Sequence, residues 1–204
     1  MDEGVKKKIT EAIETHKKMV ADLQSSGLET LAAAAEAIIK SLKQGGRVYI
    51  CGNGGSAADA QHIASELVGR FEHERKGLAA VALTTDTSVL TSVSNDYGYE
   101  NVFSKQVEAL VGEGDILWAI STSGSSANVV AAAELAKKKR AYVLAFTGKN
   151  GSKLEQIADI CFCANNESTA RSQEIHQIAY HIICNIVEQS FTTTKSKTNA
   201  TKYV

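Results

Sequence analysis

His62 and Glu66 stand four residues apart in the stretch "QHIASEL", so on a helix they share one face. An imidazole and a carboxylate so placed can hold a metal, or act as an acid and the group that orients it; they can equally be an ordinary surface pair. H-E-x-x-H is absent, which argues against a metalloprotease. Upstream, "CGNGGS" (Cys51–Ser56) couples a glycine-rich turn to a helix start, where unpaired N–H groups and the helix dipole favour an anion. "STSGSSAN" repeats the scheme with hydroxyls, and Ser121, Thr122, Ser123 and Ser126 can wrap a phosphate without a lysine. Neither loop has the G-K-[ST] of a nucleoside triphosphate site, and G-x-G-x-x-G with a following ribose-binding acid is missing. A single phosphate monoester suits such a neutral cradle. Near the C-terminus, "ARSQEIHQIAYHIICNIVEQSF" places His181 beside the apolar face marked by Ile175, Ile178, Ile182, Ile183 and Ile186. A lone histidine so placed, His181 or His176, is more often a satisfied core residue than a chemical one. His16, His73 and Glu174 read as solvent-facing.

These residues need elements to position them. Periodicity predicts helices over 5–24 and 28–43, separated at Gly27 and stopped by Gly45-Gly46, together a helical hairpin occupying about 1–44. Short apolar strands follow at 47–51, 78–83, 115–120, 141–146 and 157–163. Helices are expected over 56–69, 87–95, 101–110, 126–138 and 168–191. Alternation of strand and helix implies right-handed crossovers and an α/β three-layer sandwich around a five-stranded parallel sheet, flavodoxin-like in type. Near-continuous apolar strands such as "DILWAI" and "AYVLAF" fit burial on both faces. Ligands bind such sheets beyond the carboxyl ends of the strands, where the two loops emerge. The reading is one domain over 1–192, then a polar, flexible tail over 193–204.

The 204 residues, 44% of them hydrophobic, suit one domain with a proper core. A net charge of −1 provides no broad positive field for nucleic acid. The basic runs Lys6–Lys8 and Lys137–Arg140 read as solvated helix surface and a helix end. No stretch approaches the roughly 20 apolar residues of a membrane span, and no leader pattern is seen, so a cytoplasmic location is expected. Cys51, Cys161, Cys163 and Cys184 lie in apolar runs and are expected to be buried, reduced thiols.

The motifs "CGNGGSAADAQHIASELVGRF", "LTSVSND", "SNDYGY", "GDILWAISTSGSSANV" and "QEIHQIAYHI", all in register, resemble the sugar isomerase (SIS) domain and, within it, the phosphoheptose isomerase family. The likeness covers almost the whole chain. It implies that Asn53, Gly54 and Gly55, with Ser56 at the helix start, and Asn95 and Asp96 contact a sugar phosphate. It implies a phosphate loop of Ser121, Thr122, Ser123 and Ser126, and substrate contacts from Glu66 and Gln173. It further implies one zinc ion per site on His62, Glu66, Gln173 and His181, with Glu66 and His181 as the acid–base pair. The reaction implied is sedoheptulose 7-phosphate to D-glycero-D-manno-heptose 7-phosphate, the first step towards nucleotide-activated heptose for lipopolysaccharide or another surface glycan. A carboxylate on zinc is a poorer base, so Glu66 would bind the metal for only part of the cycle. Ser172 and Ala170 depart from residues common in the family and leave substrate preference open.

Gln173 and His181, eight residues apart, would lie about 12 Å apart along an unbroken helix and about 80° around it. They are therefore expected to reach one metal from different subunits, in keeping with the family's tetramers. The competing resemblance is to non-catalytic SIS proteins that bind the bacterial replication-initiator protein. Those tend to lack counterparts of Glu66 and His181, both present here. Sensing domains of the same fold usually carry a DNA-binding segment, which is not visible.

Overall fold

The computed structural model describes residues 2–192. The tail at 193–204, expected to be flexible, lies outside the described residues. Five parallel strands, β1 (Val48–Gly52), β2 (Ala80–Ala82), β3 (Ile116–Ser121), β4 (Tyr142–Thr147) and β5 (Ile160–Cys163), form one sheet in the order β2-β1-β3-β4-β5. The helices are α1 (Glu3–Asp22), α2 (Leu28–Lys43), α3 (Gly55–Val68), α4 (Thr87–Tyr97), α5 (Ser104–Leu110), α6 (Ala127–Lys138), α7 (Lys153–Ile157) and α8 (Thr169–Gln189).

Alternation along the strands separates two cores. Val48, Ile50, Trp118 and Phe146 project into one, with Ile38 of α2, Ile63 of α3 and Ile183 of α8. Tyr49, Leu117, Ala119 and Val143 project into the other, with Val107 of α5 and Val129 and Ala133 of α6. The sheet is therefore covered on both sides, which is why β3 is buried at every residue. The chain passes from β1 out to β2 on one side, then crosses back over β1 to β3 on the other. The crevice at that reversal lies between the carboxyl ends of β1 and β3, where Gly52 pairs with Ile120 and both loops begin.

The N-terminal segment differs from the expected hairpin. α1 continues through a π-turn, Leu23–Gly27, into α2, and Gly27 keeps helical angles (φ −94°, ψ −15°). The buried residues Met19, Leu23, Gly27 and Leu31 recur every fourth position. A regular helix would carry such a row steadily around its axis; the wider π-turn rephases it towards the core. A second difference is α7, capped by Ser152, whose side chain accepts from the Glu155 N–H, so β5 starts at Ile160 rather than 157. Cys51 and Cys184 are buried and Cys161 and Cys163 partly so; all four are free, and burial pushes the Cys51 thiol up to about 12.

His176, fully buried on α8, uses Nε2 to donate to the Thr147 carbonyl at 2.9 Å, while Nδ1 has no partner. Burial outweighs that hydrogen bond and lowers its pKa to about 4. The unfolded imidazole, near 6.5, takes up a proton that the folded one refuses, so this group's stabilisation holds above about 6.5 and fades as pH falls towards 4. Urea unfolding at pH 7 and pH 4.5 should therefore show a smaller acid-induced loss in His176→Phe than in the unaltered protein. An unchanged loss would contradict this assignment.

Candidate active site

α3 and α8 lie side by side on one sheet face and run in the same direction: Gln173 meets Gly55 near their N-termini, while Tyr180 and His181 meet His62 further along. This register assembles the expected donors. His62 Nε2 is 2.9 Å from Glu66 Oε1 and 3.4 Å from His181 Nε2. All three side chains are partly buried, and one donor atom from each lies within 4.8 Å of the others. Metal–nitrogen bonds of about 2.1 Å in tetrahedral array place neighbouring ligand atoms about 3.4 Å apart. Two imidazoles and a carboxylate at this spacing thus fit a zinc ion, and the convergence of lone pairs is best satisfied by a cation. Burial, then repulsion from His62, lowers the pKa of His181, which favours the neutral imidazole a metal needs.

The Tyr180 hydroxyl lies 3.0 Å from His62 Nδ1, and both aromatic rings meet edge-on. When that hydroxyl accepts from Nδ1–H, the lone pair of Nε2 is left towards Glu66 and His181. Asp59, one turn before His62, has a buried Oδ2 without a hydrogen-bond partner. Burial pushes its carboxyl up to about 6, opposed by His62 and the Tyr180 hydroxyl. Tyr180 and Asp59 were not singled out from sequence, although Tyr180 neighbours His181 and Asp59 shares the His62 face.

Gln173 is not brought to this cluster. It lies over Gly55, where an added methyl group would meet its amide and push that flexible side chain aside. α8 is unbroken from Thr169 to Gln189, so the separation expected from helix geometry stands. Gln173 instead borders the cradle formed by the glycine- and serine-rich loops.

That cradle is built at the β1–β3 crevice. Ser126 is the N-cap of α6 but makes no side-chain cap; its hydroxyl turns to Ser121 Oγ at 2.9 Å. Ser123 Oγ lies 3.3 Å from Ser121 Oγ and accepts from the Ser125 N–H. Hydroxyls thus gather at the start of a twelve-residue helix whose N-cap side chain leaves the first-turn N–H groups uncapped, although the Val129 N–H donates to Asn128 Oδ1 at 2.9 Å. Asn53 and Asn128 exchange reciprocal amide bonds of 2.8 and 2.9 Å, joining the two loops, and the Tyr99 hydroxyl donates to Asn53 Oδ1. Asn128 and Tyr99 were also missed, since an amide pair across 75 residues has no local signal. Ser56 is 3% exposed and turned inward against Gly52, so it offers little beyond its backbone. Asn95 and Asp96 are exposed on the last turn of α4, bonded to each other.

The fold and this pairing of a hydroxyl-rich cradle with a His/Glu/His cluster define a class: the chain belongs to the SIS domain family, whose model matches residues 11–148. Among its relatives it is 50% identical over 173 residues to the phosphoheptose isomerase of Roseiflexus sp. (strain RS-1), covering 83% of this chain and 88% of that one. It is 52% identical over 186 residues to the phosphoheptose isomerase of Thiobacillus denitrificans, covering 85% and 94%. The solved phosphoheptose isomerase from Neisseria gonorrhoeae superposes with a TM-score of 0.86 at 40% identity, covering 91% of this chain and 99% of that one.

Removing the Tyr180 hydroxyl should weaken metal binding at this cluster by about tenfold, the usual effect of losing a partner of a ligating imidazole. Competition between Tyr180→Phe and a chromophoric chelator measures it; an unchanged dissociation constant would show that the hydroxyl does not orient His62.

Proposed function

We propose that the protein is a sugar-phosphate aldose–ketose isomerase converting sedoheptulose 7-phosphate to D-glycero-D-manno-heptose 7-phosphate. The observation that carries this reading is the convergence of His62, Glu66 and His181 on the helix that begins at the phosphate cradle. Likeness to phosphoheptose isomerases along most of the chain supports the same substrate class.

The substrate's phosphate is held by the hydroxyls of Ser121, Thr122, Ser123 and Ser126 and by first-turn N–H groups. Asn53, Gly54, Gly55, Asn95 and Asp96 line the sugar, and the Gln173 that completes the site from a neighbouring copy reaches it as well. Glu66 removes a proton from C1 of the ketose while His181 supplies one to O2, giving a neutral enediol. Return of the proton to C2 and loss of the O1 proton to His181 complete the aldose. A carboxylate and an imidazole in different surroundings suit these two tasks. Zinc on His62, Glu66 and His181 would supply a Lewis acid beside the carbonyl.

The protein acts as a homo-oligomer, a tetramer on this reading, with the fourth zinc ligand, Gln173, given by a neighbouring copy. Two features support it: Gln173 lies away from its own chain's cluster, and Val5, Ile9 and Ile13 form an apolar row about half exposed along α1. No described helix is long and apolar enough to cross a membrane, in keeping with work in the cytoplasm. The presence of both Glu66 and His181 favours catalysis over the non-catalytic initiator-binding role.

Glu66→Gln should abolish conversion of sedoheptulose 7-phosphate, read as aldose product with zinc present, while phosphate-ester binding persists. Turnover within a few-fold of the unaltered protein would defeat the assignment. Mixed oligomers of Glu66→Gln and Gln173→Ala chains should regain part of the activity that each lacks alone, because one site in the mixture draws only unaltered residues. No recovery in mixtures shown to contain both chains would place the whole site in one subunit.

A further inference from the structure

Behind the metal cluster lies a buried ion pair. Glu188, on the last two turns of α8, is 1% exposed, as is the Arg75 side chain; Arg75 Nε is 3.3 Å from Glu188 Oε1. Glu188 also accepts three consecutive backbone N–H groups, from Phe71 at 2.8 Å, Glu72 at 2.7 Å and His73 at 2.8 Å. Arg75 turns its other nitrogens to the end of α3. Nη2 donates to the Glu66 carbonyl at 2.6 Å, and Nη1 to the carbonyls of Leu67 at 2.8 Å and Gly69 at 3.1 Å.

This arrangement does two things at once. α3 ends without a left-handed glycine cap, since Gly69 has φ −80° and ψ −108°. Arg75 therefore satisfies carbonyls that the helix leaves open, including that of Glu66 itself. Glu188 then ties the same irregular segment to α8, seven residues beyond His181. The tied segment carries Phe71, whose ring packs against the His181 imidazole at 5.6 Å between centroids. A buried ion pair is a poor way to gain stability and a good way to specify one geometry. Apolar residues could join these two helices; they could not also fix the carbonyl of one ligand and the ring neighbour of another.

We propose that Arg75 and Glu188 are positioning residues that preset the separation of Glu66 and His181 and so determine the affinity of the site for its metal. Neither touches substrate. The proposal rests on the metal-site reading above and adds what holds that site in shape.

The test measures zinc affinity by chelator competition on the full-length protein, with circular dichroism and thermal unfolding recorded alongside. Glu188→Gln keeps the shape and loses the charge; Arg75→Lys keeps the pairing charge and loses the fork to the α3 carbonyls. Each folded variant should bind zinc at least about tenfold more weakly, the scale known for groups that orient ligands. At saturating zinc, kcat should fall while KM for sedoheptulose 7-phosphate stays within about twofold, because the cradle lies at the other end of α3. If Glu188→Gln does not fold, Arg75→Lys carries the test. Folded variants with lower melting temperatures but unchanged zinc affinity would show a merely structural clamp and overturn the proposal. An unaltered protein that binds no zinc would instead overturn the metal-site reading, and this proposal with it.

Discussion

Two parallel helices, α3 and α8, rest on the same face of the sheet, and the register between them decides what the molecule can do. A slip of one turn, about 5.4 Å, would separate His181 from His62 and Glu66 and leave three ordinary polar side chains. The register is visible at both ends. Near the N-termini, the Gln173 amide packs over Gly55. Near the C-termini, Glu188 grips the segment that leaves α3. Between them, Ile63 and Leu67 share a core with Ala179 and Ile183. Core packing and a buried carboxylate thus converge on one alignment.

The same helix links the two halves of the site. α3 begins at the glycine turn after β1, where anions are favoured, and carries His62 about two turns on. On the proposed reading, a phosphate at one end and a reactive carbonyl at the other require a substrate with an extended chain between them. Binding energy from the remote phosphate would then hold the reacting carbons beside Glu66 and His181.

Much of this was legible in the sequence because it is local. Apolar runs and glycine punctuation locate all five strands and the large helices, and four-residue spacing joins His62 to Glu66. The contribution of His181 was not decidable from the periodicity of α8, where it adjoins an apolar face; resemblance supplied its role, and the fold supplied its contact with His62. What stayed hidden is long-range or subtle in phase. The Asn53–Asn128 pair, the Tyr180 hydroxyl on His62 and the Arg75–Glu188 pair each join distant segments. The hairpin expected at Gly27 failed because glycine permits a reversal without requiring one, and a π-turn kept the buried row facing inward.

In the proposed site, His62, Glu66 and His181 of one chain hold a metal and another copy completes the set. Anomalous diffraction at the zinc edge from crystals grown with zinc is the most direct check. One strong peak per chain is expected, about 2.0–2.2 Å from His62 Nε2, His181 Nε2 and a Glu66 oxygen, with Gln173 of a second subunit close by. Ordered zinc elsewhere, with this cluster empty, would contradict it.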